Sequence, residues 1–263
     1  MTFIFITAPL FFLFLWIISL CKVLILPRIP FAKHFTQIGR SFRKRNVLLV
    51  TAHPDDESIQ LGGGSESLPG VLYGEAVLHF YYFSVGGAEG KGNIRKRELF
   101  QACVALKVPM QQVKIVNHPD VQDGFDKVWN HSLLAKIIEE EITSCSIDMI
   151  ITFDCYGVSG HCNHRDVHYG VCKLLHDTLQ RDIEVWELVS TNILRKYSGP
   201  VDIWLSIFLA MLHSNGTMHC IVNENSRRSF KAMAQHSSQW VWFRKLFVAL
   251  SSYTYMNTLR KVR

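Results

Sequence analysis

His53, Asp55 and Asp56 stand within four residues of one another in the stretch AHPDDE (52–57). Three more histidines, His161, His164 and His168, share the stretch GHCNHRDVH (160–168). Three consecutive acids repel one another, so Asp55, Asp56 and Glu57 gain nothing from adjacency unless a positive charge arrives. A divalent cation is the first candidate. Zinc accepts imidazole nitrogens and carboxylate oxygens, and a catalytic zinc keeps one position open for water. His53 and Asp56 are three apart, a spacing that aims both side chains at one ion across a strand-to-helix turn. Pro54 fixes its own φ and biases His53 toward extended backbone. Asp55 lies between them, within reach of a water at such an ion. In the second cluster His161 and His164 are i, i+3, and His164 and His168 are i, i+4, so either pair can share a helix face. His79, His118 and His219 have no partners at ligand spacing and read as structural. Gly62 to Gly64 invites a phosphate-loop reading but lacks both GxGxxG spacing and a Gly-Lys-Ser/Thr ending.

Each cluster follows an apolar run: VLLV (47–50) precedes the first and IDMIITF (147–153) the second. Strand-like segments at 47–51, 76–84, 113–116, 147–153 and 184–189 alternate with helix-like ones at 94–106, 131–143 and 164–179. That alternation predicts an α/β fold with a mostly parallel sheet. In such sheets ligands bind beyond the carboxyl ends of the strands. If the strands at 47–51 and 147–153 are parallel and central, both clusters share one rim, which is the condition for a joint site.

The 263 residues suffice for one substantial domain, preceded here by an apolar segment. Residues 3–21 carry no charge, nearly enough helix to cross a hydrocarbon core about 30 Å thick. No Lys or Arg precedes the run and no small-x-small pattern closes it, which favours a membrane anchor over a cleaved signal peptide. The expected division is an anchor at 1–27, a basic juxtamembrane linker at 28–45 and a catalytic domain at 46–263. Residues 1–54 hold seven Lys or Arg (Lys22, Arg28, Lys33, Arg40, Arg43, Lys44, Arg45) and no Asp or Glu. The remainder is close to neutral, so the basicity follows the anchor and does not describe a nucleic-acid-binding face. Positive flanks stay in the cytosol, which predicts a single-pass protein with its body on that side. Seven cysteines without a CxxC pair fit a reducing compartment, where the sequons at Asn130 and Asn215 would be idle.

AHPDDE (52–57), GNIRKRELFQAC (92–103) and GVSGHCNHRDVH (157–168) together resemble the LmbE-like zinc de-N-acetylases. Within them the likeness is greatest to the PIG-L branch, the N-acetylglucosaminyl-phosphatidylinositol de-N-acetylases. HSSQWVWFRKLF (236–247) and SYTYMNTL (252–259) resemble that branch's C-terminal signature. The resemblance implies a Rossmann-like fold, with zinc or another divalent cation on His53, Asp56 and His164. It further implies Asp55 as general base, His161 as general acid and Arg95 as a substrate contact. A glycolipid substrate and the endoplasmic reticulum membrane are implied in the same way. Cys162 and Asn163 replace the family's usual proline and aspartate, which removes a charge beside His161 and His164. Asp154 or Asp166 would then be the carboxylates left to support a charged His161. The segment 201–212 is too short to span a membrane. The aromatics Trp240, Trp242, Phe243, Phe247, Tyr253 and Tyr255, with Arg244, Lys245, Arg260, Lys261 and Arg263, would form a headgroup-level surface or else a core helix with a basic outer face. Two other readings stand beside this one: a zinc hydrolase of another N-acyl sugar or a phosphoester, and a catalytically retired membrane-tethered partner protein.

Overall fold

The computed structural model describes residues 2–25, 45–60, 76–86, 90–177, 183–213, 217–223 and 225–262. The expected linker up to residue 44, Gly62 to Gly64, Asn215 and Arg263 lie outside them. Among the described residues the chain begins with helix α1 (Thr2–Ile25), then β1 (Arg45–Thr51), α2 (Asp56–Gln60), β2 (Ala76–Tyr82) and α3 (Gly92–Ala105). Next come β3 (Val113–Ile115), α4 (His131–Cys145), β4 (Met149–Phe153), α5 (Cys162–Asp177) and β5 (Glu184–Leu188). The last part holds α6 (Asp202–Leu212), β6 (Met218–Val222), α7 (Ser226–Gln235), α8 (Trp242–Leu250) and β7 (Met256–Lys261).

The strands form one sheet in the order β3-β2-β1-β4-β5-β7-β6. β1 to β5 run parallel, as predicted. VLLV and MIITF, apolar but for Thr152, are buried without alternation because both faces of β1 and β4 are covered. β1 and β4 are direct neighbours, with Val47 opposite Met149. Chain order reverses between them, since β2 and β3 lie to one side and β5 to the other. That reversal opens a crevice at the carboxyl end of the sheet, where the two polar clusters emerge.

β6 and β7 add an antiparallel edge that the sequence pattern did not announce. Their short stretches alternate weakly and are separated by two helices. Of the two readings of the C-terminal aromatics, Tyr253 and Tyr255 follow the buried one. The Tyr253 hydroxyl accepts from the Thr191 N–H at 2.8 Å, and the Tyr255 hydroxyl donates to the Ala249 carbonyl at 2.8 Å. Arg260 and Lys261 pair with Glu187 and Glu184 on β5, so they serve the sheet edge.

α1 packs on this same edge. Leu20 joins a small core of Ile203, Tyr255 and Met256. The Trp204 indole N–H donates to the Ser19 hydroxyl at 2.9 Å, and Lys22 Nζ sits 3.7 Å from the Trp204 ring centre. Gly199 has φ +61°, and a Cβ there would meet the Trp16 indole nitrogen at 2.7 Å. The helix thus rests against a position that only glycine fills without strain. Side chains of α1 are described from Leu10 to Lys22, and among the described residues no helix is long and apolar enough to cross a membrane.

Candidate active site

The first cluster is built by the turn that leaves β1. Asp56 Oδ2 accepts the backbone N–H groups of Ala52 at 3.1 Å and His53 at 2.8 Å. The carboxylate is thereby pinned by one oxygen and presents Oδ1 to the crevice. Asp55, just before it, adopts φ 109°, a conformation costly for a residue with a Cβ. Glu57 holds that strain by accepting the Asp55 N–H at 3.0 Å.

The second cluster is built by the turn after β4. Asp154 Oδ1 accepts from the N–H groups of Tyr156 at 3.1 Å and Gly157 at 3.0 Å, and from the Ser190 hydroxyl at 2.6 Å. Gly157, at φ +69°, brings its carbonyl to 3.0 Å from His164 Nδ1, and a Cβ on it would strike His164 Cβ at 2.7 Å. The carbonyl accepts the Nδ1–H and leaves the lone pair on Nε2, the arrangement of a metal-ligating histidine. The ring of Phe153 stacks on that of His164 at 4.1 Å between centres.

These constraints bring His164 Nε2 to 3.3 Å from Asp56 Oδ1, although the residues are far apart in the chain. Two ligands about 2.1 Å from a tetrahedral zinc are themselves about 3.4 Å apart, so this pair fits one ion. Ligand nitrogens of His53, His161 and His164 lie within 4.8 Å of one another. The donor set of imidazoles and a carboxylate, nearly buried, suits a borderline-soft divalent cation. Burial alone would raise the Asp56 carboxyl, but His164 and His53 hold it well below the usual carboxylate range. Burial would lower His164, yet Asp56 raises it above the usual histidine value.

His161 faces the same space, its ring centre 5.0 Å from that of His53 and 5.2 Å from that of His164. Burial, then the neighbouring His53 and His164, push its pKa down to about 4. Its Nδ1 accepts the Asn163 N–H at 3.2 Å, which places the ring proton on Nε2. Neither Asp154 nor Asp166 supports it. Asp154 caps its own turn, while Asp166 accepts the Trp129 N–H at 2.9 Å and pairs with His131 at 3.0 Å. His168 leaves the site altogether: its Nδ1 lies 3.0 Å from the Phe153 carbonyl and 3.4 Å from Glu187. Asn163 bridges His53 and the Lys127 backbone. Its Oδ1 is 3.2 Å from His53 Nε2 and its amide donates to the Lys127 carbonyl at 2.9 Å.

Arg95 is nearly buried, and its guanidinium is committed to protein. Nη2 donates to the Pro54 carbonyl at 2.9 Å, and Nη1 to the Gly86 carbonyl at 3.0 Å and to Asp123 at 3.3 Å. Nη2 also lies 3.7 Å from Asp55 Oδ1. Arg95 therefore braces the turn that carries His53 and Asp55.

Four supporting groups escaped sequence reasoning. Asp123 Oδ1 lies 2.9 Å from His53 Nε2. Burial would raise its carboxyl, but His53, Arg95 and His161 hold it below the ordinary value. His236 Nε2 lies 2.7 Å from Glu57 Oε1, with both side chains fully buried. Glu98 accepts from the Ser237 hydroxyl at 2.7 Å and from the Ser238 N–H and hydroxyl at 2.7 and 2.6 Å. Arg244 donates from Nη1 to Asp55 Oδ2. The segment beginning at His236 thus closes over the first turn through Glu57, Glu98 and Asp55. No local spacing announces such contacts; the acidic run alone hinted that distant cations were needed.

Residues 48–175 match the family model described as PIG-L, GlcNAc-PI de-N-acetylase. The N-acetylglucosaminyl-phosphatidylinositol de-N-acetylase of Bos taurus is 33% identical over 81% of this chain and 82% of its own. The probable enzyme of that name from Schizosaccharomyces pombe is 34% identical over 82% and 86%. Among solved structures, the zinc-inhibited form of teicoplanin deacetylase matches with a TM-score of 0.55 at 14% identity, covering 82% of this chain and 97% of its own. N,N'-diacetylchitobiose deacetylase from Pyrococcus horikoshii matches with a TM-score of 0.57 at 14% identity, covering 83% and 84%. At such identities the structural matches speak for the fold.

Proposed function

Because the chain belongs to the PIG-L family of GlcNAc-PI de-N-acetylases, we infer that its site hydrolyses the acetamide of N-acetylglucosaminyl-phosphatidylinositol, the de-N-acetylation step of GPI-anchor biosynthesis. The observation that carries the chemistry is the 3.3 Å approach of Asp56 Oδ1 to His164 Nε2 beside His53. His53, Asp56 and His164 would hold the ion, taken as Zn2+. When bound, such an ion supplies Lewis acidity and makes water nucleophilic near neutral pH.

Asp55 is the base. Its strained backbone aims the carboxylate into the crevice, where it takes a proton from the attacking water as the oxygen joins the amide carbon. The C–N bond then breaks, acetate leaves on one side and the sugar nitrogen must be protonated on the other. His161 offers its Nε2 proton to that nitrogen. The free ring is neutral near pH 7 and must first gain a proton: negative charge building on the bound substrate raises its pKa, and the imidazolium so formed gives up the Nε2 proton and returns to the neutral ring. The Nη groups of Arg95 brace the turn, and its Nε–H, which has no partner among the described residues, is the donor left to meet the substrate.

The test is acetate release from an N-acetylglucosaminyl phosphoinositide by the full-length protein, before and after chelation and after zinc is restored. Release that survives complete chelation overturns the metal assignment. Release from other N-acyl sugars but not from the phosphoinositide overturns the substrate.

The membrane completes this reading. α1 has 24 residues, about 36 Å of helix at 1.5 Å per residue, and Leu10 to Phe14, Ile17 and Ile18 are exposed. Exposed apolar side chains in such number mark a lipid-facing surface. The surface continues from α1 onto α6 and α8, where Trp204, Phe208, Trp242, Phe243 and Leu246 are exposed. Continuity with α1 favours the bilayer as the occupant of this face. The basic residues after α1 favour a cytosolic body on the endoplasmic reticulum membrane.

A further inference from the structure

α8 is amphipathic, and its inner face reaches the catalytic base. Val248 is buried, and Arg244, one turn before it, points the same way. Trp242, Phe243, Leu246 and Leu250 face outward. The Arg244 guanidinium spends one donor, Nη1, on Asp55 Oδ2. Its Nε and Nη2 groups have no partner among the described residues, and the side chain is 32% exposed. A planar edge with two parallel donors is therefore presented beside Asp55. That edge matches two oxygens of a phosphate.

We propose that Arg244 binds the phosphodiester of the glycolipid substrate. The proposal rests on the de-N-acetylase reading and deepens it. In a phosphoinositide-linked sugar the phosphate stands between the sugar to be deacetylated and the acyl chains. Arg244 stands in the same order, between Asp55 at the reacting centre and the apolar outer face of its own helix. The pairing with Asp55 serves the same end, since it fixes the side chain before substrate arrives and limits the entropy lost on binding. Arg95 cannot take this part, because its Nη donors are already held by Pro54, Gly86 and Asp123.

The test compares three amides with full-length wild type, Arg244→Ala and Arg244→Lys: the glycolipid, its deacylated glycerophosphodiester, and N-acetylglucosaminyl inositol, which has no phosphate. A charge-assisted bidentate contact predicts that Arg244→Ala raises KM on both phosphate-bearing substrates about tenfold to a hundredfold more than on the phosphate-free one. Arg244→Lys falls between, because it keeps the charge and loses the fork. An equal fall in kcat on all three substrates assigns Arg244 to positioning Asp55 and overturns the proposal, as does an unchanged KM on all three. Selective loss on the acylated substrate alone overturns it in favour of a purely membrane role. If wild type releases acetate from none of them, the de-N-acetylase reading fails first and the proposal with it.

Discussion

The carboxyl rim at β1 and β4 and the edge formed by α1, α6 and α8 treat water in opposite ways. At the rim, charged groups are nearly buried, yet each has a protein partner: Asp56 with His164, His53 with Asp123, Glu57 with His236, Asp55 with Arg244. At the edge, bulky apolar groups stand exposed, with Trp242 at 73% and Phe208 at 55%. Unpaired charge in a low-dielectric site is expensive, so the rim must be rigid and its partners specific. Exposed aromatic surface costs little in a lipid interface and much in water, which is why the edge suits the bilayer contact proposed above. α8 belongs to both regions, through Arg244 and Val248 on one side and Trp242 and Leu246 on the other.

The rim should break first and hardest. His164→Ala removes a ligand, and both bound zinc and acetate release should be lost, the latter by at least about a thousandfold. Asp55→Asn should keep the metal while turnover falls about a hundredfold to ten-thousandfold, the range for a lost general base. Metal content by mass spectrometry of the purified variants separates the two, and equal zinc in wild type and His164→Ala would count against that ligand. Gly157→Ala replaces no proposed ligand, yet its Cβ would stand 2.7 Å from His164 Cβ, so it should weaken zinc by pushing that ring aside.

His236 tests how far the rim depends on its C-terminal cover. Burial would lower its pKa, but Glu57 chiefly, with Asp55 and Glu98, raises it above 6.5. Burial would raise Glu57, and His236 with Ser58 lowers it instead. Tyr82 and Cys103, which also neighbour Glu57, stay protonated across this range. A histidine raised on folding stabilises fully below its unfolded value near 6.5, and that contribution fades as pH climbs through the folded value. The stability gap between wild type and His236→Phe should therefore be widest between about pH 5 and 6.5 and shrink toward pH 9. Removing one member of a buried pair costs about 3–5 kcal/mol, enough to read by thermal unfolding. A gap that widens with pH would refute the pairing.

How legible all this was in the sequence follows the same division. β1, β4 and the turns after them were readable because VLLV is apolar at every position, MIITF at all but Thr152, and both end in polar clusters. The joint placement of His53, Asp56 and His164 followed from that reading once β1 and β4 were parallel neighbours. Asp123, His236 and Arg244 were not readable as parts of the site, since their partners lie far away in the chain and no periodicity links them. The segment 236–247 carried a family resemblance but not its task. Tyr253 and Tyr255 stayed undecided between surface and core for a related reason: an aromatic beside basic residues reads either way until its hydroxyl is seen to find a buried partner. β6 and β7 pair with each other and with β5 across connections that a local pattern does not encode.

The smallest expected effect belongs to the seam between α1 and the body. At φ +61° an alanine at Gly199 is strained, and its Cβ would displace the Trp16 indole. Strain of this kind costs about 1–3 kcal/mol, less than the His236 change, and about 1 kcal/mol shifts Tm by roughly 2–4 °C in a chain of this size. Gly199→Ala in detergent should thus lower Tm by a few degrees and alter Trp16 fluorescence. Zinc affinity should hold, because Ser19, Trp16 and Trp204 meet at the antiparallel edge and the ligands stand at the parallel rim. If zinc affinity fell in step with Tm, the two regions would be one cooperative unit, and α8 would be the element through which the seam reaches Asp55.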